Sequence, residues 1–108
     1  MPLDTARREL GPERLTAHEV RQRLEHERDT RLTQLTAIEE AGPGTNDHLM
    51  AVQKDALRRV LKEIDAAFRR IEDGTYGLCQ DCAQPIPVER LEILPYARCC
   101  VGCQRRST

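Results

Sequence analysis

The residues best equipped for chemistry in this chain carry sulfur. Cys79-Gln-Asp-Cys82 and Cys100-Val-Gly-Cys103 are both C-x2-C pairs, with seventeen residues between them. That spacing is read as a four-thiolate zinc site. Each pair sets two thiolates on one side of a tight turn, and two pairs complete a tetrahedron around one Zn²⁺. Four protein ligands leave no position for water, so such a site is structural rather than catalytic. The competing reading is a redox dithiol or a disulfide pair. Two pairs at this separation favour the metal. The fifth cysteine, Cys99, could replace Cys100 in a C-x3-C arrangement. The symmetric pairing is simpler and leaves Cys99 as a spare thiol, either buried as a small hydrophobe or open to oxidation.

Little else in the sequence is arranged to react. There is no Gly-rich phosphate loop, nucleophile elbow or open metal site, so the chain is not read as an enzyme. His18, His26 and His48 are too far apart in register to pair on a metal. Arg58, Arg59, Lys62, Arg69 and Arg70 flank an apolar helical line and are expected to serve solubility or to dock on an acidic partner. Arg98, Arg105 and Arg106 lie beside the cysteines, where they could touch phosphate. Without stacking aromatics or a defined reading helix, sequence-specific DNA binding is disfavoured. Near-balanced charge, 17 Lys and Arg against 18 Asp and Glu, also argues against a protein that lives on bulk phosphate attraction.

The elements that must position the cysteines are helical. A chain of 108 residues buries only ~65% of the surface it exposes unfolded, so a long helical contact, a metal or a partner is needed. Thr16-Ala-His-Glu19 reads as a capping box, with Leu15 and Val20 placed as a hydrophobic staple. Val20 and Leu24 open an apolar stripe that Leu32, Leu35 and Ile38 resume, interrupted by charge near Arg28 and Arg31. Ala41-Gly-Pro-Gly44 breaks the helix near Glu40, and Thr45, Asn46 and Asp47 offer caps for a second one. Its seam is predicted at Leu57, Leu61, Ile64, Phe68 and Ile71, with Gly74 as the stop.

The fold expected is mainly α: an antiparallel two-helix coiled-coil hairpin followed by a small four-cysteine zinc finger. Residues 1–14 are expected to be a flexible arm, 15–74 the hairpin with its turn near 41–46, and 75–108 the finger and a short tail. Short helices are expected at Val88 to Leu94 and Cys100 to Arg106. No segment approaches the ~18 apolar residues of a membrane helix, and the N-terminus lacks a secretory layout, so a cytoplasmic location is expected.

The run Ile71-Glu-Asp-Gly-Thr-Tyr-Gly-Leu-Cys79-Gln-Asp-Cys82 resembles the DksA/TraR family of bacterial four-cysteine zinc-finger transcription regulators. The likeness continues through Pro85-Ile-Pro-Val-Glu-Arg-Leu-Glu92 and Pro95-Tyr-Ala-Arg98 to the second cysteine pair. This resemblance implies a regulator that inserts its hairpin into the secondary channel of RNA polymerase and contacts the enzyme rather than promoter DNA. It also implies an acidic tip, for which Asp47 is the counterpart here, and, as in some members, cooperation with guanosine tetraphosphate. The tip departs from the family's Asp-x-x-Asp-x-Ala pattern: registering on Ala51 sets Asn46 and Leu49 at the two acidic positions. Asp47 also reads as a helix cap. A zinc-stabilised adaptor or DNA-binding module acting apart from polymerase is the second functional reading.

Overall fold

The computed structural model of the protein describes residues 16–44 and 47–107. The expected N-terminal arm, the Leu15 staple and the Thr45 and Asn46 caps lie outside them. Among the described residues four helices follow in order: α1 (Ala17–Ala41), α2 (Asp47–Asp73), α3 (Val88–Ile93) and α4 (Val101–Ser107). Among the described residues extended pairing is confined to one isolated bridge, between Leu78 and Pro85.

The capping box starts α1. The Thr16 hydroxyl accepts from the Glu19 amide at 3.1 Å, and the Glu19 carboxylate accepts from the Thr16 amide at 3.1 Å. Two orphan donors of the first turn are thereby satisfied. The helix ends at Gly42, whose φ of 72° and ψ of −174° belong to a region essentially reserved for glycine. Pro43 then bars continuation, because it has no amide hydrogen to donate. Asp47 begins α2 by accepting from the Gly44 amide at 2.7 Å.

Contacts between α1 and α2 run in opposite senses along the two helices. Glu39 pairs with Arg58 at 3.2 Å near the turn. Farther down, the Arg28 guanidinium lies 5.2 Å from the centre of the Phe68 ring. At the base Val20 and Leu24 pack with Ile64 and Ala67. The helices are therefore antiparallel, and the molecule measures 58 Å along its longest axis.

The predicted seam is covered along its length, and Ala67 and Arg70 join it. Ile64, Ala67 and Arg70 are buried, while Phe68 and Ile71 lie half-buried at its flank and Leu57 and Leu61 are only partly covered. Small Ala67 lets the helices approach, and bulky Phe68 moves to the edge, where Arg28 covers its face. The charged interruption of the α1 stripe thus has partners: Arg28 on Phe68, and Arg31 on Glu27 at 3.1 Å. Toward the turn the seam opens, with Leu32 exposed and Leu35 and Ile38 half-covered. Full burial of Val20, Leu24 and Ile64 is worth roughly 1.5–3 kcal/mol each, so cohesion is concentrated at the base.

A second apolar cluster fills the finger: Ile86, Leu91 and Ala97 with Cys79, Cys99 and Cys103. Tyr76 packs against both clusters and joins them. No helix among the described residues is long and apolar enough to cross a membrane.

Candidate metal centre

The first cysteine pair sits on a tight turn. Ala83 donates to the Cys79 carbonyl at 2.9 Å, and the Cys79 amide donates back to the Gln84 carbonyl at 2.8 Å. Closing that turn places Ala83 at a φ of 63°, a left-handed conformation uncommon for a residue with a Cβ. The second pair sits at the start of the short helix expected from Cys100 to Arg106. Cys100 precedes α4 and Cys103 lies within it, so a helical first turn brings the two sulfurs to one side. The Cys103 amide points at the Cys100 sulfur at 3.5 Å. A main-chain bond from Gln80 to the Arg98 carbonyl, 2.8 Å, locks the two halves together.

This folding brings the Sγ atoms of Cys79, Cys82, Cys100 and Cys103 within 4.8 Å of one another. Those of Cys82 and Cys100 are 3.9 Å apart. A tetrahedral zinc site with Zn–S bonds of about 2.3 Å has sulfurs roughly 3.8 Å apart, so the set fits one such ion. Cys79 and Cys103 are buried, whereas Cys82 and Cys100 are partly exposed. The backbone amide of Cys82 holds the Cys79 thiol below its ordinary range, and that of Cys103 does the same for Cys100. Burial, reinforced by the neighbouring sulfurs, pushes Cys103 up. Four thiolates this close repel, and a dication relieves the repulsion while displacing the protons.

Cys99 is outside this set. It is buried in the finger core, and its thiol donates to the Asp81 carboxylate at 3.6 Å. Burial, with the Asp81 charge second, raises that thiol. Of the two fates open to it, the buried one holds. His18, His26 and His48 are all exposed.

Three further residues hold the centre in place through main-chain carbonyls. Arg70, grouped with the solvent-facing basic flank, is buried and donates to the carbonyls of Tyr96 at 3.5 Å and Ala97 at 3.4 Å. Its own carbonyl accepts from Thr75 at 2.9 Å and Tyr76 at 3.1 Å. Three residues beyond Ala67, it falls on the buried side of α2, and that register was the available signal. The Tyr76 hydroxyl donates to the Pro95 carbonyl at 2.8 Å. Arg90 steadies the second pair by donating through Nε to the Cys99 carbonyl at 3.1 Å. Of the arginines proposed to meet phosphate, Arg98 lies 3.6 Å from Glu63 and Arg106 lies 3.0 Å from the Cys103 sulfur.

At the far end, Asp47 and Lys54 face Ile38 and Glu39 across a cleft of about 330 Å³. Asp47 is exposed, but one carboxylate oxygen is engaged by the Gly44 amide. The carboxylate expected at the tip is therefore already engaged as a cap.

A helical hairpin seated on a four-cysteine finger that fits one zinc ion is the class that fold and site define. Residues 74–108 match the family described as prokaryotic dksA/traR C4-type zinc finger. General stress protein 16O of Bacillus subtilis (strain 168) is 47% identical over 51 residues, covering 47% of this chain and 31% of that protein. The RNA polymerase-binding transcription factor DksA of Caulobacter vibrioides (strain NA1000 / CB15N) is 43% identical over 53 residues, 49% of this chain and 37% of its own. The matched segment thus spans about a third of these curated relatives. The solved structure of transcription factor DksA2 from Pseudomonas aeruginosa aligns with 81% of this chain and 73% of its own, at 26% identity and a TM-score of 0.47. Zinc is the cofactor that the family and the four sulfurs define.

Proposed function

We propose that this chain is a cytoplasmic bacterial transcription regulator, not an enzyme, that binds RNA polymerase through the secondary channel. Residues 15–74 would act as the probe and residues 75–108 as its zinc-organised base, with Cys79, Cys82, Cys100 and Cys103 as the four ligands. The observation that carries the reading is the finger of residues 74–108, whose relatives include proteins named for binding RNA polymerase.

The geometry supports it physically. Cohesion lies at the base, where Val20, Leu24, Ile64 and Ala67 are buried, so the finger end sets the direction in which the hairpin points. The turn end carries Glu39, Asp47 and Lys54 around its cleft and leaves Leu49 and Val52 exposed beside it, so it offers both charged and apolar contacts to a channel lined by protein. Zinc bound to the four thiolates would fix the finger fold and supply no reaction. Arg70 ties the loop between the cysteine pairs to α2, and Tyr76 and Arg90 brace that loop within the finger. Asp47 would present its carboxylate at the tip, and any cooperation with guanosine tetraphosphate would act through the assembled polymerase complex.

Direct binding of the zinc-loaded protein to its cognate RNA polymerase core enzyme tests the proposal. Saturable binding, displaced by a competitor that occupies the secondary channel, is the expected result. Absence of binding at physiological salt overturns it. Retention of polymerase binding and of the transcriptional effect after deletion of residues 39–50 would overturn the probe role of the hairpin.

A further inference from the structure

Four thiolates around one dication leave two net negative charges in a small, largely dry finger, and a cation nearby lowers that cost. The arginines around the finger differ in what they reach. Arg70 and Arg90 donate to main-chain carbonyls, and Arg98 faces Glu63. Arg106 alone of these four donates to a ligand-set sulfur, with Nη2 3.0 Å from Cys103 Sγ.

Helix geometry explains the contact. Both residues lie on α4, three positions apart, and helical side chains lean toward the N-terminus. Arg106 is therefore carried back over Cys103. The sulfur it meets is one of the two buried ones, shielded on its other side by the finger core. A charge-assisted N–H···S bond draws electron density from the thiolate and covers the face an acid or electrophile would attack. The flat guanidinium suits this better than an ammonium, which is more strongly hydrated.

We propose that Arg106 is a positioning residue of the metal centre: it neutralises the Cys103 thiolate and sets how slowly the finger gives up zinc. This rests on the assignment of Cys103 as a ligand made above, and is independent of polymerase binding.

The test uses the zinc-loaded full chain and the variants R106Q, R106K and C103S. Zinc transfer to excess 4-(2-pyridylazo)resorcinol is followed by absorbance. Alkylation of each cysteine by N-ethylmaleimide is followed by mass spectrometry. R106Q is expected to release zinc roughly tenfold faster, since partners of metal ligands typically contribute 10–100-fold to affinity. R106K should fall between R106Q and the wild type. In R106Q, Cys103 should be alkylated ahead of Cys79, Cys82 and Cys100, with the helical circular dichroism unchanged. Wild-type release by R106Q, while C103S fails to hold zinc, overturns the role of Arg106 and leaves the ligand set standing. Equal acceleration at all four cysteines with loss of helical signal also overturns it, because Arg106 would then act on the fold as a whole. Stoichiometric zinc in C103S with unchanged release overturns the ligand assignment and this proposal together.

Discussion

The guanidinium of Arg70 donates to the main-chain carbonyl of Ala97 at 3.4 Å, joining the last turn of α2 to the loop between the cysteine pairs. The same side chain reaches the Tyr96 carbonyl, so one buried cation serves two acceptors. Burial lowers its pKa, with the Glu63 carboxylate opposing that shift. Among the described residues no buried side-chain nitrogen or oxygen lacks a partner, and removing this donor would strand two carbonyls. R70A is expected to lose about 2 kcal/mol or more in urea unfolding of the zinc-loaded protein. R70K should lose less, since an ammonium can reach one carbonyl but lacks the fork. An R70A protein as stable as the wild type would mean that water replaces the guanidinium.

Tyr76 makes the second tie, and it is sensitive to alkali. Burial holds its hydroxyl proton up to about 12, with Arg70 and Arg23 opposing that shift. The folded state binds this proton more tightly than the unfolded chain, whose tyrosine ionises near 10. The resulting stabilisation is fully present below pH 10 and is lost as pH rises toward 12. A difference of that size corresponds to roughly 2–3 kcal/mol. Difference spectra of phenolate absorbance, wild type minus Y76F, should therefore show a midpoint near 12. The fall in stability of the wild type between pH 10 and 12 should be shallower in Y76F. A midpoint at 10 would mean that the ring is freely solvated.

What could be read in the sequence was governed by local rules. The capping box at Thr16 and Glu19 is a contact between residues three apart, and its two hydrogen bonds form as the pattern predicts. The cysteine spacing likewise carries its geometry within short turns, and the four sulfurs converge. The predicted seam was incomplete, because Ala67 joins Ile64 in the buried core. Ala67 and Phe68 stand about 100° apart on α2, on either side of the line through Ile64 and Ile71, and only the partner helix decides that the small residue goes inside. Arg70 was misplaced for a related reason. A charge on an apolar flank reads as solvent-facing unless the carbonyls awaiting it, 26 and 27 residues later, are already known. The short helix expected from Cys100 to Arg106 forms at Val101–Ser107 and positions the second pair.

Zinc removal should separate the two apolar clusters. The finger cluster includes Cys79, Cys99 and Cys103 alongside only three aliphatic residues, too little apolar surface to hold without the metal. Structural zinc contributes on the order of 10 kcal/mol or more in small finger domains. Chelation, or the variants C79S and C103S, is expected to abolish the cooperative melting of the finger. Because Tyr76 and Tyr96 pack against the hairpin cluster, the melting temperature of α1 and α2 should fall as well. Amide hydrogen exchange resolves the two effects. Protection should vanish at residues 77–86, where the first cysteine turn is closed by main-chain bonds, and weaken around Ile64 and Ala67. Unchanged protection at Ile64 on chelation would show that the hairpin stands without its base.

Asp47 caps the turn and is also the residue proposed for the tip, and isosteric substitution can divide the two roles. Its Oδ1 accepts from the Gly44 amide at 2.7 Å, which ties the turn to the first residue of α2. D47N keeps an acceptor oxygen at that position and loses only the charge, so the cost is the helix-dipole contribution, roughly 0.5 kcal/mol. D47A removes the acceptor too and should cost about 1 kcal/mol. If the carboxylate acts at the tip inside the polymerase, D47N and D47A will reduce the effect on transcription equally despite their unequal stabilities. Both will still bind the enzyme, because the helices and the finger remain intact. If the group is a cap alone, D47N will regulate like the wild type. Promoter-specific transcription measured at saturating protein, beside thermal melts of the same preparations, gives both comparisons in one series.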